Sequence, residues 1–143
     1  MRWLTCWMSG LILTWASMGS ALAAQVPAVD AEQVRGVIEA QLDAFADDDA
    51  GRAFDLAAPS IQNMFGDPER FMAMVRTGYA VVYRPASVNF LPPEVEGNAI
   101  VQAVRMGDAA GALWMVVYLV ERQDDGSWRI GGCQVAPLQG RPA

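Results

Sequence analysis

The apolar residues of this chain recur every three or four positions up to Gly78 and every second position beyond it. A helix shows one side to a core at the first spacing and a strand does so at the second, so the chain divides into a helical half and a sheet half. Val34, Val37, Ile38, Leu42 and Phe45 share one side of a helix expected from Asp30, with Arg35, Glu39, Asp43 and Asp47 on the other. Asp49 and Gly51 permit a break and a new N-cap, and Ala53, Phe54, Leu56 and Ala57 form a second short helix ended by Pro59. A further turn through Ile61, Met64 and Phe65 closes at Gly66. Asp67-Pro68-Glu69 combines an N-cap, a proline at the first helical position and an acid in the first turn. The helix that starts there should bury Phe71, Met72 and Val75 and stop at Gly78.

Residues 79–83 and 86–91 read as extended segments separated by Arg84-Pro85, and Pro92-Pro93 ends the second. Strands are expected over residues 99–106, 112–122 and 127–135, joined by a turn at 107–111 and by the hairpin signal Asp124-Asp125-Gly126. Helices that precede an antiparallel meander pack on one face of it. The expected fold is therefore α+β, in one domain over residues 30–138, with a linker at 24–29 and a C-terminal tail at 139–143. A chain of 143 residues supplies one core and is too short for two ordinary domains.

Residues 1–23 read as a signal peptide: Arg2 beside the terminal amine, an uncharged run over 3–18 centred on Leu11, Ile12 and Leu13, and small residues over 19–24. Ala21 and Ala23 fit the A-x-A rule, which places cleavage after Ala23 or, as the neighbouring option, after Ala24. The alternative is an uncleaved anchor, since no charge lies between Arg2 and Asp30, but Thr5, Ser9, Gly10, Thr14 and Ser17 dilute the apolar run. Export to the periplasm or the medium is the expectation, with no membrane association after cleavage.

Composition then narrows function. Without Arg2, nine arginines face sixteen acids, a net charge of −7, which disfavours nucleic acid and anionic lipid surfaces as partners. The chain has neither His nor Lys, which removes the commonest general base, the commonest metal ligand and Schiff-base chemistry. Cys6 leaves with the signal, so Cys133 stands alone and no intrachain disulfide can form. No metal or cofactor motif is found: Asp47-Asp48-Asp49 lacks calcium-loop spacing and reads as the solvated end of the first helix, and Met72 and Met74 do not share a helix face. Glu39 and Asp43 are an i, i+4 pair on the polar side of their helix, where nothing separates their pKa values.

Gln41-Leu42-Asp43-Ala44-Phe45, Met74-Val75-Arg76-Thr77-Gly78-Tyr79, Val82-Tyr83-Arg84-Pro85 and Asp125-Gly126-Ser127-Trp128-Arg129-Ile130 together resemble a bacterial family of unknown function, the DUF4864 group. Its members are similar to the wider NTF2-like superfamily, with its cystatin-like cone. The resemblance covers the chain from about Ala31 to Val135 and implies a curved antiparallel sheet around the N-terminal helix, with a pocket at the open end. It brings no activity and no catalytic residues.

Within that frame Gln41 stands out, because its amide falls in the middle of the apolar stripe. A buried amide needs partners, either the protein's own backbone or a ligand on a pocket floor. Arg76, Tyr79, Tyr83 and Arg84 gather at the junction of helix and sheet. They suit the polar head of a small amphipathic molecule, or alternatively a structural clamp in which rings pack and arginines meet surface acids. Cys133 reads as a small buried hydrophobe, or alternatively as a reactive thiol or the site of an interchain bridge. The expected role is non-catalytic, either binding of a small, partly apolar ligand or service as an interaction module. The alternative is an acid/base enzyme of the isomerase or hydratase kind using a cavity carboxylate, Tyr79 or Tyr83.

The strand over residues 112–122 is apolar on both sides, with Leu113, Met115, Val117 and Leu119 on one and Trp114, Val116, Tyr118 and Val120 on the other. Helices cover only one face of a sheet, so the other needs a second cover. A two-fold homodimer formed sheet to sheet is expected, anchored by Trp114, Val116, Tyr118 and Val120 if theirs is the outer face.

Overall fold

The computed structural model describes residues 25–138. The signal-peptide and C-terminal-tail assignments lie outside these residues. Five helices precede or flank five strands: α1 (Ala28–Ala46), α2 (Ala50–Asp55), α3 (Pro59–Phe65), α4 (Pro68–Gly78), α5 (Ala80–Tyr83), then β1 (Ser87–Phe90), β2 (Glu94–Glu96), β3 (Ala99–Gly107), β4 (Leu113–Arg122) and β5 (Trp128–Pro137). This is the α+β order read from the period change. Among the described residues, no helix is long and apolar enough to cross a membrane.

Local chemistry sets most of the boundaries. The Asp49 side chain accepts from the Arg52 N–H at 3.1 Å and caps α2, while Asp67 accepts from the Arg70 N–H at 2.8 Å and caps α4. Gly66 ends α3 at a φ of 81°, a left-handed conformation that glycine adopts without strain. The hairpin between β4 and β5 turns where Asp124-Asp125-Gly126 signalled it, with Asp125 accepting from both the N–H and the hydroxyl of Ser127.

The sheet is open and antiparallel, in the order β1-β3-β4-β5, with β2 also paired to β3. β1 and β2 share one edge of β3: β1 lies beside residues 104–107 and β2 beside residues 99–101. At the other edge the link between α2 and α3 closes on β5, where Ile130 donates to the Leu56 carbonyl and accepts from the Ala58 N–H.

The core fills the space between helices and sheet. Val34, Ile38 and Phe45 of α1 and Phe71 and Met72 of α4 pack with Ile100, Val104, Val116, Tyr118 and Val120. Phe71 is an aromatic hub, with ring centroids of Phe65, Phe54 and Phe45 at 5.6, 5.8 and 6.1 Å.

Two expectations are corrected. Residues 79–83 are not extended: Ala80–Tyr83 is a helical turn whose Val81 and Val82 are buried in the core. The β-branched and aromatic side chains favour a strand locally, and burial of this turn against α1 and β3 outweighs that preference. The second correction concerns the face of β4. Val116, Tyr118 and Val120 are buried beneath the helices, so they cannot anchor an interface. Trp114 shares their side, and its indole N–H donates to Asp108 at 3.0 Å across the β3–β4 turn. The outer face instead carries Leu113, Met115, Val117 and Leu119. The short strand β2, Glu-Val-Glu after two prolines, was not anticipated.

Candidate functional site

A cavity of about 520 Å³ lies where α1, α3 and α4 meet the inner side of β5. Its walls are apolar: Phe45 from α1, Ile61 and Phe65 from α3, Met74 and Val75 from α4, and Ile130 from β5. α4 presents this wall because Phe71 and Val75 occupy its buried stripe while Glu69, Arg70 and Arg76 lie exposed outside the cavity. Among the described residues, no Asp, Glu or Arg lines the cavity. The polar groups that reach it are Gln41, Thr77, Tyr79 and Cys133.

Gln41, Thr77 and Tyr79 each make a hydrogen bond. Gln41 is buried, and its Nε2 donates to the Ala53 carbonyl at 3.1 Å. Gln62 Nε2 donates to the carbonyls of Phe54 and Ala57 at 3.1 and 3.0 Å, so two side-chain amides together satisfy carbonyls at the C-terminal end of α2. The Oε1 of Gln41 makes no hydrogen bond among the described residues. The Tyr79 hydroxyl donates to the Cys133 carbonyl at 3.4 Å and so spans from the end of α4 to the edge strand. Thr77 donates back to the Ala73 carbonyl at 3.0 Å within its own helix. Burial pushes the Cys133 thiol up to about 12, which keeps it neutral.

Of the five residues expected to line a pocket, the fold brings Gln41 and Tyr79 to this cavity. Arg76, Tyr83 and Arg84 gather elsewhere, on Asp48 just past the end of α1. Arg76 Nη2 and Arg84 Nη2 each donate to its carboxylate at 3.2 Å, and the Tyr83 hydroxyl donates to the same group. The Arg84 guanidinium also stacks 4.1 Å from the Tyr83 ring centroid and donates to the Phe45 carbonyl. The hydrogen bond from Tyr83, then that from Arg76, holds the Asp48 carboxyl below the usual carboxylate range. Asp48 itself sits at a φ of 53°, the one positive-φ non-glycine among the described residues.

The acidic triplet is therefore divided among three tasks. Asp47 pairs with Arg52 at 3.9 Å, Asp48 holds the cluster and Asp49 caps α2. A reading of spacing alone merged them into one solvated helix end. It also missed the α3 and α4 wall of the cavity, whose signal was present in the apolar stripes of two short helices. Among the described residues the acid/base alternative finds no carboxylate in the cavity lining, and of its two tyrosines Tyr79 reaches there while Tyr83 does not.

Fold and site together define a small α+β domain with an uncharged, mostly apolar cavity between its helices and the edge strand of an open antiparallel sheet. The chain belongs to the family described as a domain of unknown function (DUF4864), whose model matches residues 27–143. This is the family that Gln41-Leu42-Asp43-Ala44-Phe45 and its companion motifs resemble. No curated protein matches the chain, and no solved structure matches it.

Proposed function

We propose that this domain is an exported binding module for small, uncharged, predominantly apolar molecules held in the cavity between α1, α4 and β5. The observation that carries the reading is the lining itself: a volume of about 520 Å³ with no charged side chain among the described residues. That volume falls within the roughly 300–1,000 Å³ of pockets that hold small organic ligands. A charged group moved into such a site loses its hydration without gaining a counter-charge. The arginines that would suit a carboxylate head are spent on Asp48 instead. The free Oε1 of Gln41 offers one hydrogen-bond acceptor to a ligand hydroxyl or amide.

The reading is tested with a matched pair of fluorescent probes, neutral N-phenyl-1-naphthylamine and its sulfonated analogue. Binding of the neutral probe in preference to the anion is expected, with Met74→Trp filling the space and abolishing capture while the far-ultraviolet circular dichroism stays unchanged. Equal binding of the anion, or capture that survives Met74→Trp in the folded variant, overturns it. The export component rests on Arg2 and the uncharged run behind it. N-terminal sequencing of protein recovered outside the cytoplasm should start at Ala24 or Gln25, and recovery beginning at Met1 overturns that component.

A further inference from the structure

We infer that the outer face of the sheet is the seat of a second copy of this chain, related by a two-fold axis that runs across the strands. Val101 and Ala103 of β3 and Met115, Val117 and Leu119 of β4 form the centre of that face. None of the five belongs to the core or packs against it, and Leu113 at the end of the row is 46% exposed. An antiparallel sheet with one solvated face alternates apolar with polar residues, and β4 does not.

Charge at the two ends of this apolar band selects the occupant. Arg105 lies at one end, level with Met115. Glu96 and Glu121 lie at the other, on either side of Ala99 in the register, with Glu94 beside Val101 and Arg129 opposite Glu121, so that this end carries three carboxylates against one guanidinium. None of these charged residues enters an ion pair among the described residues. An axis lying between two stacked sheets, perpendicular to the strands and level with Gln102 and Tyr118, keeps each strand over its own counterpart and reverses its direction. Arg105 then sits above the partner copy's Ala99, between two carboxylates, and the same contact repeats at the opposite end. An isologous interface requires this kind of self-complementarity.

The size of the face is sufficient. Four rows of strands about 4.8 Å apart and about nine residues long at roughly 3.3 Å per residue cover on the order of 600 Å². Two copies bury on the order of 1,200 Å², the lower edge of the range for stable interfaces. The inner-face residues Val116, Tyr118 and Val120 take no part, so this interface and the cavity stand or fall separately.

Sedimentation of the purified protein at micromolar concentration tests the inference. The expected result is a dimer that Val117→Glu converts to a monomer and that Arg105→Glu weakens at least about tenfold through like-charge contact. Combining Arg105→Glu with Glu96→Arg and Glu121→Arg should restore it. Arg105 is exposed, so its variant decides the matter even where Val117→Glu fails to fold. A monomeric wild type, whether its outer face stays open or is covered by its own termini, overturns the inference, as does a dimer indifferent to Arg105→Glu or a charge swap that fails to restore association.

Discussion

Tyr118 stands directly opposite Cys133 in the β4–β5 ladder, with both side chains on the helix side of the sheet. Cys133 opens onto the cavity, while the Tyr118 hydroxyl is fully buried and has no hydrogen-bond partner among the described residues. Its other cross-strand neighbour, Gln102, already donates to the carbonyls of Leu91 and Ala103. Burial accordingly pushes the Tyr118 phenol well above its ordinary value.

An orphaned hydroxyl in an apolar core carries an unrecovered desolvation cost, and removing it at constant shape relieves that cost. Tyr118→Phe should leave stability unchanged or raise it by up to about 1 kcal/mol. Urea denaturation measures this, and a loss of more than about 1 kcal/mol would mean that the hydroxyl is paired in solution.

A thiol pushed up to about 12 has very little thiolate near pH 8, so alkylation of Cys133 in the native protein should run at least about a thousandfold slower than in urea. The folded value lies above the unfolded one, so the folded state binds more protons between them. Its contribution to stability is complete below the unfolded pKa near 8.5 and is lost as pH rises toward about 12, at roughly 1.4 kcal/mol per pH unit. Cys133→Ala should flatten the alkaline limb of a stability profile, and an unchanged limb would show that the thiol is solvated.

Asp48 carries the opposite sign. Its carboxyl is held below the usual range by Tyr83 and then Arg76, so its contribution is complete above about pH 4 and disappears as pH falls through the lowered folded value. Asp48→Asn should lower the urea midpoint at pH 7, and the gap to wild type should close in acid. Asp48→Ala should be worse than Asp48→Asn, because a φ of 53° suits Asn and strains Ala. A gap independent of pH would mean that the arginines do not depend on this charge.

Gln41→Leu removes the donor to the Ala53 carbonyl at the end of α2 and should destabilise the fold by roughly 1–3 kcal/mol. Under the proposed function it also weakens capture of probes that carry a hydroxyl more than of hydrocarbons, since only the former use Oε1. Stability indistinguishable from wild type would assign the amide to the ligand alone.

The order of α1 to α4 and of β1, β3, β4 and β5, the caps at Asp49 and Asp67, the Asp125-Gly126 hairpin and the buried stripe of α1 were legible in the sequence, because each rests on contacts within a few residues or on a repeating period. Gln41 was legible for the same reason, as a polar interruption of that stripe. Tertiary packing decided the rest. Residues 80–83 became a helical turn because Val81 and Val82 found a core to enter, a gain no local window contains. Arg76, Tyr83 and Arg84 lie 28 to 36 residues from Asp48 in sequence, so only the folded chain could bring them to one carboxylate. The face of β4 was undetermined in principle, since an alternation of apolar with apolar carries no direction. It was settled when the helices covered Val116, Tyr118 and Val120 and left Met115, Val117 and Leu119 outside.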